Sequence, residues 1–204
     1  MPDSEVFLGR QPIVDRQLEL VAYELLFRSS LENRARVVDE QVATATVLRH
    51  MFVDLGLVTA LAGHPGFVNV GERLLMGPLL DAVPPAQLVL ELLETIAITP
   101  AVVRRCRALK RRGFKLALDD LTELSAAHRK LLPLIDYVKL ELPALDANRL
   151  AQLVHELKPY HLQLLAEKVD SREVFERCRA LGIDLFQGYY VERPTVLSRQ
   201  RSRS

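Results

Sequence analysis

The chain predicts an α/β protein built as a compact TIM-like (β/α)8 barrel, with one antiparallel strand near the N-terminus. Three observations lead there. Short apolar, strand-like runs recur along the 204 residues, and from Leu88 onward each alternates with a helix-like stretch, the pattern of βαβ units around a parallel sheet. Seven of these runs end in a residue that can bind metal or phosphate: Glu24, Asn69, Glu91, the pair Asp119–Asp120, Lys139, Glu167 and Gln187. The first two strands follow each other with no helix between them, so one of the pair must run against the rest. Strands of a parallel barrel bring their C-terminal ends to one face, where active sites are built.

Taken in order, Val6–Arg10 and Leu18–Phe27 are β-like and joined by a turn around Pro12–Gln17. Asp39–Leu57 has helical spacing of its apolar residues. Gly63, Pro65 and Gly66 interrupt the chain before the strand Phe67–Val70, and Glu72–Leu80 follows as a short helix closed by Pro84–Pro85. The strand Leu88–Leu93 leads to the helix Pro100–Arg112, with Thr99 as N-cap and Gly113 as its stop. Strand Lys115–Leu118, helix Glu123–Leu132, strand Tyr137–Leu140 and helix Asp146–Leu157 come next, the last ending before Pro159. Strand Leu162–Ala166, helix Arg172–Leu181 stopping at Gly182, and strand Ile183–Phe186 complete eight strands. About 250 residues are usual for such a barrel, so helices and loops are trimmed, most of all between Glu24 and Asn69. The expected division is a barrel domain over residues 1–194 and a basic flexible tail or linker start over 195–204.

Composition narrows the function classes. Hydrophobic residues make up 49% and charged residues 26%, an ordinary globular balance. A formal net charge of +1 argues against bulk attachment to DNA, RNA or an anionic membrane. No stretch approaches the roughly 20 apolar residues of a membrane span. Cys106 and Cys178 form no CxxC pair or disulfide framework, which suits a reducing cytoplasm. The five histidines stand away from the strand ends, and no nucleophile elbow, dinucleotide fingerprint or P-loop occurs.

The strand ends suit metal-assisted chemistry. Hard divalent cations take oxygen ligands, and Mg²⁺ is held by a few carboxylates together with water and substrate phosphate. Glu24, Asn69, Glu91 and Asp119 supply one such position, and Asp120 lets a second ion sit beside it. Two ions about 3.5–4 Å apart can clamp both oxygens of a phosphodiester displacement. Lys139 can orient or activate water and offset the carboxylates. Glu167 can ligate or accept a proton, Gln187 can fix a ligand, and Arg28 can pair with phosphate. Each residue alone is more often a cap, a turn or solvated surface. Their joint occurrence at successive strand ends is what points to a site.

In their order, these segments resemble the EAL family of cyclic-di-GMP phosphodiesterases, in particular the shortened EAL domains found joined to HDOD domains. The resemblance runs from Phe7 to Pro194. It is carried by RQPIVD at Arg10–Asp15, YELLFR at Tyr23–Arg28, FVNV at Phe67–Val70 and LELLE at Leu90–Glu94. LALDD at Leu116–Asp120, DYVKLEL at Asp136–Leu142, AEKVD at Ala166–Asp170 and FQGYY at Phe186–Tyr190 continue it. The resemblance implies hydrolysis of cyclic-di-GMP to linear pGpG with Mg²⁺ or Mn²⁺ as cofactor. Glu24, Asn69, Glu91, Asp119 and Asp120 would be the metal set, and Lys139 and Glu167 catalytic. Gln11, Arg28 and Gln187 would contact substrate, and Glu94 would brace the loop after the paired aspartates. Cyclic-di-GMP and an HDOD domain or another signalling protein are the partners implied, in a cytoplasmic setting, with the oligomeric state left open.

The departures matter. The family's glycine-rich loop after the aspartate pair is replaced by Leu121–Ser125, which has no glycine, Leu25 replaces the signature alanine, and Glu141 stands after the lysine where the family has aspartate. Two functional expectations follow. One is a metal-dependent phosphodiesterase, favoured by the complete ligand inventory. The other is a catalytically degenerate EAL module acting as cyclic-di-GMP sensor or protein-interaction domain, favoured by the altered loop.

Overall fold

A computed structural model describes residues 7–28, 61–85 and 87–197. The helix expected over Asp39–Leu57 and the basic residues 198–204 lie outside the described residues. Nine strands and five α-helices are described: β1 (Phe7–Val14), β2 (Leu20–Arg28), β3 (Gly66–Val70), α1 (Glu72–Met76), β4 (Leu88–Leu92), α2 (Pro100–Arg111) and β5 (Lys115–Leu118). They continue with α3 (Ala126–Leu131), β6 (Tyr137–Glu141), α4 (Ala147–Leu157), β7 (Gln163–Glu167), α5 (Arg172–Leu181), β8 (Leu185–Phe186) and β9 (Thr195–Leu197).

Strands β2 to β8 are parallel neighbours in sequence order. The barrel closes through β1, which is antiparallel to β2, with Gln11 opposite Glu24, and to β8, with Val14 opposite Phe186. Among the described strands, the one that runs against the rest is therefore β1. It runs through Pro12, which the sequence reading placed in a turn. Pro12 lies between the two stretches where the second edge of β1 is paired, so its missing N–H disturbs no long ladder. The turn begins at Asp15, whose side chain accepts from the N–H groups of Gln17 and Glu19.

Strand alternation explains the interior. Ile13, Ala22, Phe67, Val89, Ala117, Leu165 and Leu185 form one buried apolar cluster, with Tyr137 packed against it. Two residues further along each parallel strand stand Glu24, Asn69, Glu91, Asp119, Lys139, Glu167 and Gln187. On antiparallel β1, Gln11 lies two residues before Ile13. A period of two puts both rows on the same face of every strand. The barrel is thus filled by an apolar layer below and a polar layer at the C-terminal mouth.

The intervening residues, among them Val68, Leu90, Leu118, Val138, Ala166 and Phe186, face outward. They pack with helix residues such as Val102, Leu109, Leu153, Leu157 and Phe175. Burying each such aliphatic or aromatic side chain contributes roughly 1.5–3 kcal/mol. Cys106 and Cys178 are buried free thiols in this outer layer. None of the described helices is long and apolar enough to cross a membrane.

Caps set most helix bounds. Thr99, Asp146 and Ser171 accept from the N–H groups of Val102, Arg149 and Val174, and α5 stops at Gly182 in the left-handed region. Three expectations need correction. Helix Glu72–Leu80 breaks after Met76, because Gly77–Pro78 cannot continue it, and a 3-10 turn Leu79–Asp81 follows. Helix Glu123–Leu132 begins only at Ala126, since Ser125 is its cap. Thr195–Leu197 is strand β9 on Leu8–Arg10, where a tail was expected.

Candidate active site

Lys139 occupies the centre of the polar layer. Its Nζ lies 2.9 Å from Asp119 Oδ1, 3.0 Å from Glu91 Oε1, 3.0 Å from Glu167 Oε1 and 3.5 Å from Glu24 Oε1. β2, β4, β5, β6 and β7 thus each deliver one charged group to a common centre. Lys139 and Glu91 are almost wholly buried, at 1% and 0% exposure. Gln187 donates to Glu24 Oε2 and, at 3.0 Å, to Gln11 Oε1. Gln11 in turn donates to the Glu192 carbonyl.

Among the described residues, four carboxyl groups and one ammonium share the buried layer, and burial governs how they titrate. Burial raises the Glu91 carboxyl well above the usual range, although the nearby Lys139 pulls it down. Burial also raises Glu167, against the pull of Lys139, to about 8. Burial is the largest single influence on Lys139 and pushes it down. Glu91, Glu24, Glu167 and Asp119 together overcome it and hold the amine protonated well above its ordinary value. Asp120 is raised by burial and by the charges of Asp119 and Glu141.

Buried acceptors remain without donors. Among the described residues, Asn69 Oδ1, both Glu91 oxygens, Glu167 Oε2 and Gln187 Oε1 find no hydrogen-bond partner, although Glu91 Oε1 lies 3.0 Å from the Lys139 ammonium. Such a buried group costs about 1–3 kcal/mol unless something satisfies it. An all-oxygen set of carboxylates and an amide is the donor chemistry of hard divalent cations. The residues fit such a cation. Glu94, Asp119 and Asp120 form a second acidic group, with one oxygen of each within 4.8 Å of the others. Glu94, expected only to brace a loop, therefore also stands within reach of a ligand position.

The backbone at this mouth is special. Asp120 and Lys168, each directly after an inward carboxylate, adopt φ of +44° and +57°. Left-handed conformations in non-glycine residues cost roughly 1–2 kcal/mol and gather at functional sites. Lys168 forms an ion pair with Glu141. Gln187–Gly188 is more than a turn. Gly188 has φ of +150°, and a Cβ there would stand 2.2 Å from the Val169 carbonyl oxygen. Val169 N–H donates to Gln187 O, and Tyr190 N–H to Val169 O.

The structure brings together Glu24, Glu91, Asp119, Lys139, Glu167, Gln187 and Gln11, with Asn69 and Asp120 in adjoining positions. Arg28 ends β2 four residues beyond Glu24, and its side chain lies outside the described residues. The sequence reading missed the Glu141–Lys168 pair, although Glu141 is the next step of two after Lys139. A cleft of about 210 Å³ opens beside Asp119 and Asp120, bordered by Glu94, Thr122, Glu123 and His128. A larger one of about 350 Å³ lies at the opposite mouth, bordered by Arg16, Tyr137 and Asp184, away from the carboxylates.

With this fold and polar layer in view, the comparisons agree on a class. The EAL domain model matches residues 3–194, and the chain belongs to the EAL domain family. Among relatives, YuxH of Bacillus subtilis is 36% identical over 95% of this chain and 48% of that protein. The cyclic di-GMP phosphodiesterase CdgJ of Vibrio cholerae is 29% identical over 95% of this chain and 45% of that protein. The chain thus spans about half the length of these curated relatives. An EAL domain protein from Listeria monocytogenes has the same fold, at TM-score 0.72 and 22% identity, covering 94% of this chain and 89% of that one. The PaMucR phosphodiesterase in complex with c-di-GMP is similar at TM-score 0.76 and 20% identity, covering 93% and 96%. YkuI of Bacillus subtilis, in complex with c-di-GMP and calcium, is similar at 0.75 and 20%, covering 96% and 56%.

Proposed function

We propose that the chain hydrolyses one phosphodiester of cyclic-di-GMP to linear pGpG, using Mg²⁺ or Mn²⁺. The observation that carries this reading is the buried layer itself. Four carboxylates surround the Lys139 ammonium, Asn69 stands beside Glu91 in the sheet, and several buried acceptors face no donor among the described residues. Glu24, Asn69, Glu91, Asp119 and Asp120 would hold the cations. When bound, they would supply Lewis-acid stabilisation of phosphate charge and a water acidic enough to attack near neutral pH.

The chain's own groups divide the remaining work. Lys139 keeps its proton, so it orients water by donating and offsets carboxylate charge; it does not act as a base. Before any cation is bound, burial raises the Glu167 carboxyl to about 8. Hydrolysis takes a proton from the attacking water and returns one to the departing ribose oxygen, and Glu167 Oε2, which has no hydrogen-bond partner among the described residues, can accept and pass it. Gln187 fixes Glu24 and Gln11 together, and Gln11 and Arg28 meet the nucleotide and its phosphate. The short segment between Glu24 and Asn69 supports reading the chain as the shortened EAL type found joined to HDOD domains, working with an HDOD domain or another signalling protein in the cytoplasm.

The test is conversion of cyclic-di-GMP by purified protein with Mg²⁺ or Mn²⁺, beside an E24A control. pGpG formation well above the control is expected, and none above it overturns the enzyme. The glycine-free loop after Asp120 favours a second reading, a module that binds cyclic-di-GMP without turnover. Calorimetry with cyclic-di-GMP and Ca²⁺ separates the two, because binding heat without pGpG leaves only the sensor.

A further inference from the structure

We infer that His128 and Arg149 are positioning residues that hold the Asp119–Asp120 pair in its ligand geometry, doing by tertiary anchoring what a glycine-rich loop would do by backbone freedom. The inference rests on the reading of these aspartates as cation ligands.

The geometry begins at Asp120, whose backbone is held at φ +44°. Such a conformation relaxes unless its neighbours are fixed. Residues 121 to 125 contain no glycine and none of them has a positive φ, so the left-handed step falls on Asp120 and its hold comes from neighbouring contacts. Three anchors fix it. Leu121 is buried in the core at 3% exposure, and its N–H donates to the Lys139 carbonyl at 3.1 Å. The Thr122 carbonyl accepts from Arg149 Nε at 3.0 Å. Arg149 is itself held on α4, its N–H capped by Asp146 and its guanidinium near Glu156.

The third anchor closes the far end. Ser125 Oγ accepts from the His128 N–H, and the Ser125 N–H donates to His128 Nδ1, each at 3.2 Å. This is a capping box in which histidine stands where glutamate or glutamine is usual. It requires an unprotonated Nδ1. Burial keeps the ring's pKa below its ordinary value, although the Glu123 charge opposes it. His128 and Thr122 border the same cleft as Glu94, Asp119 and Asp120. The clasp and the ligands therefore share one wall.

The test is Mn²⁺ affinity of the full chain at pH 7.5, by calorimetry, with circular dichroism confirming the fold of each variant. D119N defines the site. H128A and R149A are expected to weaken Mn²⁺ binding about tenfold, the low end for residues that support metal ligands. H128Q, whose amide can accept the same N–H, is expected to bind within about twofold of the parent chain. S171A removes a cap of the same kind from α5 and is expected to leave affinity unchanged. Parent-like affinity in H128A or R149A overturns the assignment of that residue. A loss in S171A equal to that in H128A overturns the clasp as a specific device. If the parent chain shows no Mn²⁺ site sensitive to D119N, the ligand reading fails first and the inference with it.

Discussion

An ammonium within 3.5 Å of four carboxylates compensates charge before it takes part in any reaction. Removing one partner of a buried charge group leaves the others uncompensated, at about 3–5 kcal/mol. K139M should therefore lower the unfolding midpoint in EDTA by about 10 °C, given about 2–4 °C per kcal/mol at this chain size. Millimolar Mg²⁺ should restore part of the loss; an unchanged midpoint in EDTA would show that Lys139 is not the counter-charge. Glu167 has the opposite leverage on pH. Its carboxyl moves from 4.5 to about 8 on folding, so between these values the folded chain binds the additional proton. Stability of the metal-free protein should fall as pH rises through that window. Urea titrations at stepped pH should show this fall, shallower in E167Q. Equal slopes in the two proteins would assign the dependence to Glu91 and Asp120, which shift in the same direction.

The segments after β5, β7 and β8 show how much the mouth depends on backbone shape. Gly188 meets two constraints together, a φ open to glycine and a Cβ position already filled by the Val169 backbone. G188A should cost more than the roughly 1 kcal/mol of a simple strained substitution. It should also release the Gln187 contact with Glu24, visible as faster amide exchange at Val169 and Tyr190. Native-like exchange there would refute the clamp. At the N-terminus of α3, His128 makes the cap sensitive to acid. Its pKa is lowered on folding, so its contribution is complete above the unfolded value of 6.5 and is lost as pH falls through the folded one. The parent chain should lose up to about 1 kcal/mol over that acid range, the worth of a helix cap. H128Q should keep it, and parallel acid-side melting curves for the two would count against the capping box.

Across the whole molecule, the barrel and its polar layer were legible because both follow from a period of two. An apolar residue and the polar one two places on, as in Val89 and Glu91 or Ala117 and Asp119, fall on one face of any strand. Parallel order then gathers the polar members at one mouth. Pairings that depend on distant chain were not legible. Nothing local marks Thr195–Leu197 as a partner for Leu8–Arg10, and Pro12 in isolation suggests a turn. The left-handed backbone at Asp120 and Lys168 was likewise not legible, since aspartate tolerates that conformation without requiring it and lysine adopts it only under surrounding contacts. The layer itself carries a consequence for global stability. Among the described residues the layer sets four carboxyl groups against one lysine, two of them raised toward the protonated form by burial. A cation that enters the layer and displaces those protons should therefore stabilise the fold. Linkage sets the gain at about 2.7 kcal/mol when free cation is a hundredfold above its dissociation constant. For a chain of this size that is about 8 °C of unfolding midpoint. Mg²⁺ or Mn²⁺ titrated into chelator-treated protein should raise the midpoint by this order, and EDTA should reverse it. In E91Q the rise should shrink, because one buried ligand charge is gone, while the metal-free midpoint itself should increase. A cation-independent midpoint in the parent chain would show that the layer is balanced by protonation alone.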